Sequence, residues 1–282
     1  MALICILIGI IFERASDTLE KLRNFEWFDN YSRWLLRSLP GLTKQSRSSI
    51  VILLLPILLL SAILQGWFEG QLLGLTELLF GLVIFAFCLG PKDLNRQINN
   101  YLEAKENGDE ATAHDEASNI MQKDAPTDPD QQVVEVMRAI LHEPNERFFS
   151  VIFWFVVLGP FGALMYRLTA HTMRTSGNAV LGNAAAQLQA ILAWAPAHLT
   201  AMGYALTGNY EGAKQEFYSK TKQDNLTECN YLTLITAGQG ALKDCKPGEE
   251  TACIRSARAL VLRTLIVWLS FIAILTLMGV MS

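Results

Sequence analysis

Arg167, His171, Arg174 and Asn178 follow one another at spacings of four, three and four, which stacks them on one side of a helix. Two guanidinium forks around an imidazole make a cradle for a phosphate or a carboxylate. The competing reading is that the long side chains snorkel toward lipid headgroups. A second set, Asn183, Gln187, Trp194 and His198, shares a face at increments of four, seven and four, and Pro196 in the same stretch frees a backbone carbonyl. Those groups could line a polar pocket or make a hydrogen-bonded helix contact. A third set, His142, Asn145 and Arg147, lies in HEPNERFF just before an apolar run, where helix capping also accounts for Asn145. Glu13–Arg14 closes the first apolar run and could be a local ion pair. Polar and ionisable groups are expensive inside membrane helices, which makes each of these a functional candidate.

The candidate ligand-binding set is therefore Glu13, Arg14, Asn145, Arg147, Arg167, His171, Arg174, Asn183, Gln187 and His198, arranged around a pocket that faces the cytoplasm. No Ser–His–Asp or Cys–His order stands out and no carboxylates pair at an obvious site, so catalytic residues stay unassigned. No metal site and no cofactor are assigned either. The motif G-x-x-x-G-x-K at Gly208–Lys214 is one residue short of a phosphate-binding loop and lacks the following Ser/Thr, so it reads as a helix hairpin.

The elements that carry these residues follow from the distribution of charge. The 282 residues hold 23 basic and 27 acidic side chains, 18% charged, against roughly 25% in soluble domains. Residues 48–68, 148–166 and 264–282 contain no charge, and 70–90 contains only Glu77. Each stretch reaches the roughly 20 residues that cross a hydrocarbon core about 30 Å thick. A soluble globular protein is excluded. The net charge of −4, without a large basic cluster, excludes nucleic acid as a partner.

The expected fold class is all-α: a polytopic helical membrane protein with four long spans, a short N-terminal membrane helix, a fifth polar segment that re-enters or spans, and a small helical cytoplasmic domain. Region 1–91 divides into a short helix 1–12, a cytoplasmic loop 13–47, and spans 48–68 and 70–91. The loop 13–47 carries seven Lys/Arg and the connection near residues 66–70 carries none, which sets the orientation. Region 92–147 holds 19 of the charges, 13 of them acidic, and forms the cytoplasmic domain. Its helices are marked by Leu94, Ile98, Tyr101 and Leu102, and by Val133, Val134, Met137, Ile140 and Leu141 after an Asp128 cap. Region 148–210 combines the third span with a stretch, 175–210, that has no charge yet is rich in Ala, Gly, Asn and Gln. Such a stretch suits a helix shielded in a bundle or one that turns back. Region 211–263 carries eight Lys/Arg and reads as cytoplasmic, and 264–282 is the last span.

Cys5 and Cys88 lie in or beside apolar runs and read as packing residues. Cys229, Cys245 and Cys253 share one loop, where DCKPGEETAC could close a small disulfide ring if it faced outside. The spacing fits no familiar zinc site and the loop has no His.

The IFER ending of the first run, Asn145-x-Arg147-Phe148 with FWFVVLGPFGALMYR, and LAWAPAHLTAMGYALTG together resemble the AmpE family of inner-membrane proteins linked to β-lactamase regulation. The likeness covers essentially the whole chain. That family in turn looks like a distant relative of adenosylcobinamide-phosphate synthase through the FW…GPxGALxYR span and the PAxLTA helix. The resemblance implies a multi-pass protein of the bacterial inner membrane, a regulatory or sensory role in β-lactamase induction and cell-wall recycling, and an alternative as a membrane ligase or transferase of the corrinoid superfamily. It implies the lipid bilayer, a small anionic ligand and another membrane or cell-wall-recycling protein as partners. The chain departs from the synthase pattern at Asn145, where that family is acidic, and between Gln187 and Trp194, where no carboxylate stands.

Overall fold

A computed structural model describes residues 2–15, 25–38, 48–68, 74–89, 94–219, 225–242 and 250–279. Among the described residues every regular element is helical, and they divide into two compact units, 1–91 with 150–193 and 275–282, and 92–149 with 194–274.

The first unit contains α1 (Ala2–Ala15), α2 (Glu26–Ser38), α3 (Ser48–Phe68), α4 (Leu75–Cys88) and α8 (Ser150–Thr175). Helix α1 packs on α4 through small groups: the Gly9 backbone meets the Phe85 ring, and the Cys5 thiol donates to the Leu78 carbonyl at 3.5 Å. Helix α3 buries Ile50, Leu53 and Leu54 and leaves Val51, Leu55, Leu59, Leu60 and Ile63 uncovered, the pattern of a helix whose outer face meets lipid rather than water. The sequence leads one to expect a loop over 13–47, but 26–38 forms α2. Phe25, Phe28 and Leu35 give it a buried side, and the Tyr31 hydroxyl donates to the Leu53 carbonyl at 3.1 Å.

Among the described residues three helical runs are long and apolar enough to cross a membrane: Ser48–Phe68, Pro129–Thr175 and Thr251–Leu277. Of the expected second span, 70–91, the described residues are 74–89, in which Leu75–Cys88 forms a 14-residue apolar helix about 21 Å long. The third apolar run is not straight. Gly159 adopts φ 67° and ψ −155°, Pro160 follows without an N–H, and a Cβ on Gly162 would stand 2.3 Å from the Trp154 carbonyl oxygen. A straight helix sets residues eight apart about 12 Å from each other along its axis, so the chain turns sharply here. Only glycine adopts such a φ without strain.

The second unit is built on α5 (Leu94–Asn107), α6 (Glu110–Met121), α7 (Pro129–Pro144), a π-helical turn (Asn145–Phe149), α10 (Tyr210–Ser219), α11 (Leu226–Ala241) and α12 (Glu250–Leu277). Leu94, Ile98, Tyr101, Leu102, Ile140 and Leu141 form its core with Val136 and Ile120, whereas Val134 faces out and Val133 takes the inward position. Asp128 caps α7 ahead of Pro129, accepting from the Asp130 N–H at 3.3 Å. The stretch read as shielded or re-entrant is one helix, α9 (Ala179–Thr207), 29 residues and about 43 Å long. It belongs to the first unit up to Ala193 and to the second from Trp194. At its end Gly208 closes a hairpin into α10, with the Asn209 N–H on the Ala241 carbonyl and the Asn209 side chain capping Gly212, so G-x-x-x-G-x-K is structural.

Cys5, Cys88 and Cys229 form no disulfide and Cys253 is disulfide-bonded. Cys245 lies outside the described residues.

Candidate functional site

Two clusters of charged side chains sit inside the two units, and their surroundings differ. In the second unit Arg147, only 3% exposed, spends every face of its guanidinium. Nε donates to Glu143 Oε2 at 3.2 Å, one η nitrogen to Gln97 Oε1 at 2.8 Å, and the other to the carbonyls of Ile120 at 2.9 Å and Asn119 at 3.2 Å. Those carbonyls end α6, where a helix leaves acceptors unfilled and carries partial negative charge. One side chain thus ties α5, α6 and α7 together.

The adjacent π-helical turn has a local cause. Pro144 has no N–H to give to the preceding turn, and the Asn145 N–H points to the carbonyls of His142 and Glu143 instead of Leu141. The Leu141 carbonyl, so released, accepts from the Tyr204 hydroxyl at 2.8 Å, and Asn145 Oδ1 accepts from Thr200 Oγ1 at 3.2 Å. Asn145 and Arg147 are therefore taken up by internal bonds. In α9 the carbonyl freed by Pro196 is that of Leu192, and the Trp154 indole N–H fills it at 3.0 Å. Asn183 and Gln187 lie on an exposed face of α9. The His198 ring meets that of Trp194 at a tilt of 40°, with Nδ1 2.8 Å from the Trp194 carbonyl, on a partly exposed face.

The first unit holds the other cluster. Beyond the turn at Gly159–Pro160, α8 carries Arg167 and His171 one turn apart, both partly buried, with Arg174 exposed near its end. His171 lies face-on to Phe25, ring centroids 4.7 Å apart, and edge-on to Phe28 at 5.9 Å. Its Nε2 is 2.8 Å from Asp29 Oδ1. The Arg167 guanidinium stands 5.4 Å from the Phe25 centroid, a cation–π contact. Thr175 closes the far side, its hydroxyl donating to the His171 carbonyl at 3.0 Å. Asn178 is not on this face: α8 stops at Thr175, and Asn178 caps α9, its Oδ1 accepting from the N–H groups of Val180 at 2.9 Å and Leu181 at 3.2 Å. Glu13 and Arg14 fall in the last turn of α1, and their side chains lie outside the described residues.

The structure thus brings Arg167 and His171 together on the Phe25 ring, and adds Asp29, Phe25 and Phe28, which the spacing of polar residues does not single out. Their signal is FEWFDNY, an aromatic stripe with a single carboxylate on its inward side. Chemically the cluster is one in which a carboxylate already holds a histidine beside an arginine. It is suited to exchanging one anion for another.

The chain is 27% identical over 202 residues to the "Cobalamin biosynthesis protein CobD" of Chromobacterium violaceum, covering 69% of this chain and 62% of that protein. It is 33% identical over 109 residues to the protein of the same name from Stutzerimonas stutzeri, covering 37% of this chain and 35% of that protein. The match therefore spans less than two thirds of the length of either relative. No solved structure matches. The model of the family described as "Regulatory signalling modulator protein AmpE" matches residues 1–282, and with its apolar helical runs this chain is a membrane protein that belongs to the AmpE family.

Proposed function

We propose that the protein is a regulatory sensor of the inner membrane that affects β-lactamase induction through cell-wall recycling by binding a small anionic ligand at Arg167, His171 and Arg174. The observation that carries this reading is the contact between His171 Nε2 and Asp29 Oδ1, 2.8 Å, beside the Arg167 guanidinium. A phosphate or carboxylate oxygen offers His171 the same acceptor that Asp29 offers, and Arg167 adds a second donor fork. Ligand and Asp29 compete for one histidine. Binding therefore releases the Asp29 end of α2, and that release is the signal. In this reading α2 and the 92–147 region face the cytoplasm, following the Lys/Arg bias.

The double variant Arg167→Gln/Arg174→Gln tests it. Membrane insertion stays intact, while retention of inorganic phosphate by the purified protein and β-lactamase induction after exposure to a β-lactam both fall. Unchanged phosphate retention and unchanged induction would sink the proposal.

A second reading is supported by the two relatives named for cobalamin biosynthesis: a membrane ligase or transferase with altered chemistry. The position where the synthase family is acidic holds Asn145, which is buried and bonded to Thr200, and that counts against the same reaction. Restored cobalamin synthesis in a strain lacking the synthase would favour this reading over the sensor.

A further inference from the structure

Helix α2 has a graded cross-section. Phe28 and Leu35, seven positions apart, are buried along one edge. Trp27 and Trp34, also seven apart, lie beside them and are 45% and 61% exposed. Arg33 and Arg37, one turn apart and both exposed, form the next edge. Arg33 is held there by the Asp29 carbonyl at 3.3 Å and Asn30 Oδ1 at 2.7 Å. Glu26 and Asp29 stand in the first turn. From Asn30 to Phe68 the sequence then holds four bases, Arg33, Arg37, Lys44 and Arg47, and no acid.

Contacts within the first unit fix the level of this helix. The Tyr31 hydroxyl reaches the carbonyl of Leu53, five residues after α3 starts at Ser48 and so about 7.5 Å along its axis. Phe25 and Trp27 meet Phe87, next to the last residue of α4, with ring centroids 4.7 Å and 6.4 Å apart. Helix α2 thus lies across the beginning of one apolar helix and the end of another. An amphipathic helix in the membrane interface sinks its apolar side to a similar depth, about 5–10 Å. Neither bulk phase suits both exposed edges. Water would leave Trp27 and Trp34 uncovered, and hydrocarbon would strand Arg33 and Arg37. The headgroup layer accepts both, with aromatic rings at its apolar boundary and guanidinium groups at its phosphates.

We infer that α2 is an interfacial helix that binds anionic phospholipid, with Arg33 and Arg37 on the headgroups and Trp27 and Trp34 at the acyl boundary. Charge complementarity selects this occupant over a neutral lipid. The two exposed bases are followed in sequence by two more, and no acid offsets them before or within the span 48–68. A guanidinium fork also matches the phosphate oxygens of a headgroup in geometry.

The test places the full chain in nanodiscs of phosphatidylcholine, with and without phosphatidylglycerol, and follows hydrogen exchange of the 26–38 amides by mass spectrometry. Phosphatidylglycerol should slow that exchange roughly tenfold, and added salt should reverse the slowing. Arg33→Gln/Arg37→Gln should lose the difference between lipids, whereas Lys123→Gln, at an exposed base of the second unit, should keep it. Brominated phosphatidylglycerol should quench tryptophan fluorescence more than brominated phosphatidylcholine at the same fraction, and Trp27→Phe/Trp34→Phe should remove that excess. Equal exchange in the two lipids overturns the inference, as does excess quenching that survives the arginine or the tryptophan variant. Protection that appears in phosphatidylcholine alone once two copies share a nanodisc also overturns it, in favour of a second copy on this face.

Discussion

Arg147 and Arg167 are the same residue type on one continuous stretch of sequence, and they live in opposite circumstances. Arg147 is sealed in the second unit, with four acceptors around it supplied by Glu143, Gln97 and the end of α6. Arg167 is partly open, lies against an aromatic face, and shares its neighbourhood with a histidine held by a single partly exposed carboxylate. A charge whose donors all meet fixed acceptors makes a scaffold. In the proposed reading, a charge beside a histidine whose carboxylate partner can be exchanged makes a site. The difference teaches that an arginine in an apolar neighbourhood is not by itself a functional signal, since Arg147 is spent on internal acceptors.

The sharpest way to break this comparison is to remove each charge and ask what fails. Arg147→Leu leaves Glu143 buried without its cation, and the carbonyls of Asn119 and Ile120 lose their donor. The expected loss is about 3–5 kcal/mol, visible as early unfolding of the second unit in urea and as new proteolytic cuts in α5–α7. Glu143→Leu combined with Arg147→Leu should cost less than the sum of the single changes, because no uncompensated charge remains. Arg167→Leu removes a cation–π contact worth about 1 kcal/mol from a partly exposed residue, and should cost the fold less than Arg147→Leu. If Arg167→Leu proves the more destabilising, the two roles have been assigned the wrong way round.

The sequence carries much of this division and hides the rest for identifiable reasons. Helical periodicity marks the core of 92–147 because Leu94, Ile98, Tyr101 and Leu102 repeat with the helix, and the Asp128–Pro129 pair announces a start. The shared face of Arg167 and His171 is legible for the same reason. Asn145 and Arg147 are legible as polar groups beside an apolar run, but nothing nearby shows that their bonds are already filled. The partners of Arg147 include groups 50, 28 and 27 positions away, and that of Asn145 is 55 away, which no local pattern encodes. The carbonyl freed by Pro196 is legible too, whereas its filling by Trp154, 38 residues from it, is not. The break in the third apolar run is written in Gly159–Pro160, yet the absence of charge across 148–166 makes the run look uniform. Asp29 escapes notice because α2 lies among the basic residues of 13–47, where one carboxylate reads as surface charge.

A smaller effect sharpens the comparison at the open site. In a double-mutant cycle of Asp29→Asn and His171→Leu, the coupling to stability should stay below about 1 kcal/mol, since Asp29 is more than a third exposed and solvent screens the pair. Function should respond in the opposite sense to each change. Asp29→Asn weakens the built-in competitor and should tighten inorganic phosphate binding, whereas His171→Leu should weaken it. Isothermal titration of the purified protein separates the two. Equal affinity in wild type and Asp29→Asn would mean that ligand and Asp29 do not compete.

The smallest effect lies at the rim of the scaffold, where a charge is structural yet fully exposed. Asp109 caps α6, accepting from the Thr112 hydroxyl at 2.7 Å and the Thr112 N–H at 3.1 Å. The hydroxyl bond first, and then the backbone bond, hold its carboxyl below the ordinary carboxylate range. A folded-state value below the unfolded one means that the carboxylate stabilises the fold above the unfolded value, and that this contribution fades as pH falls through the folded one. Asp109→Ala should therefore lower the thermal midpoint slightly at neutral pH, by far less than Arg147→Leu. The gap from wild type should shrink once the carboxyl is protonated. A gap that stays constant down to acid pH would show that the cap acts through its shape and not its charge. Exposure alone would then not explain why this charge matters so much less than Arg147.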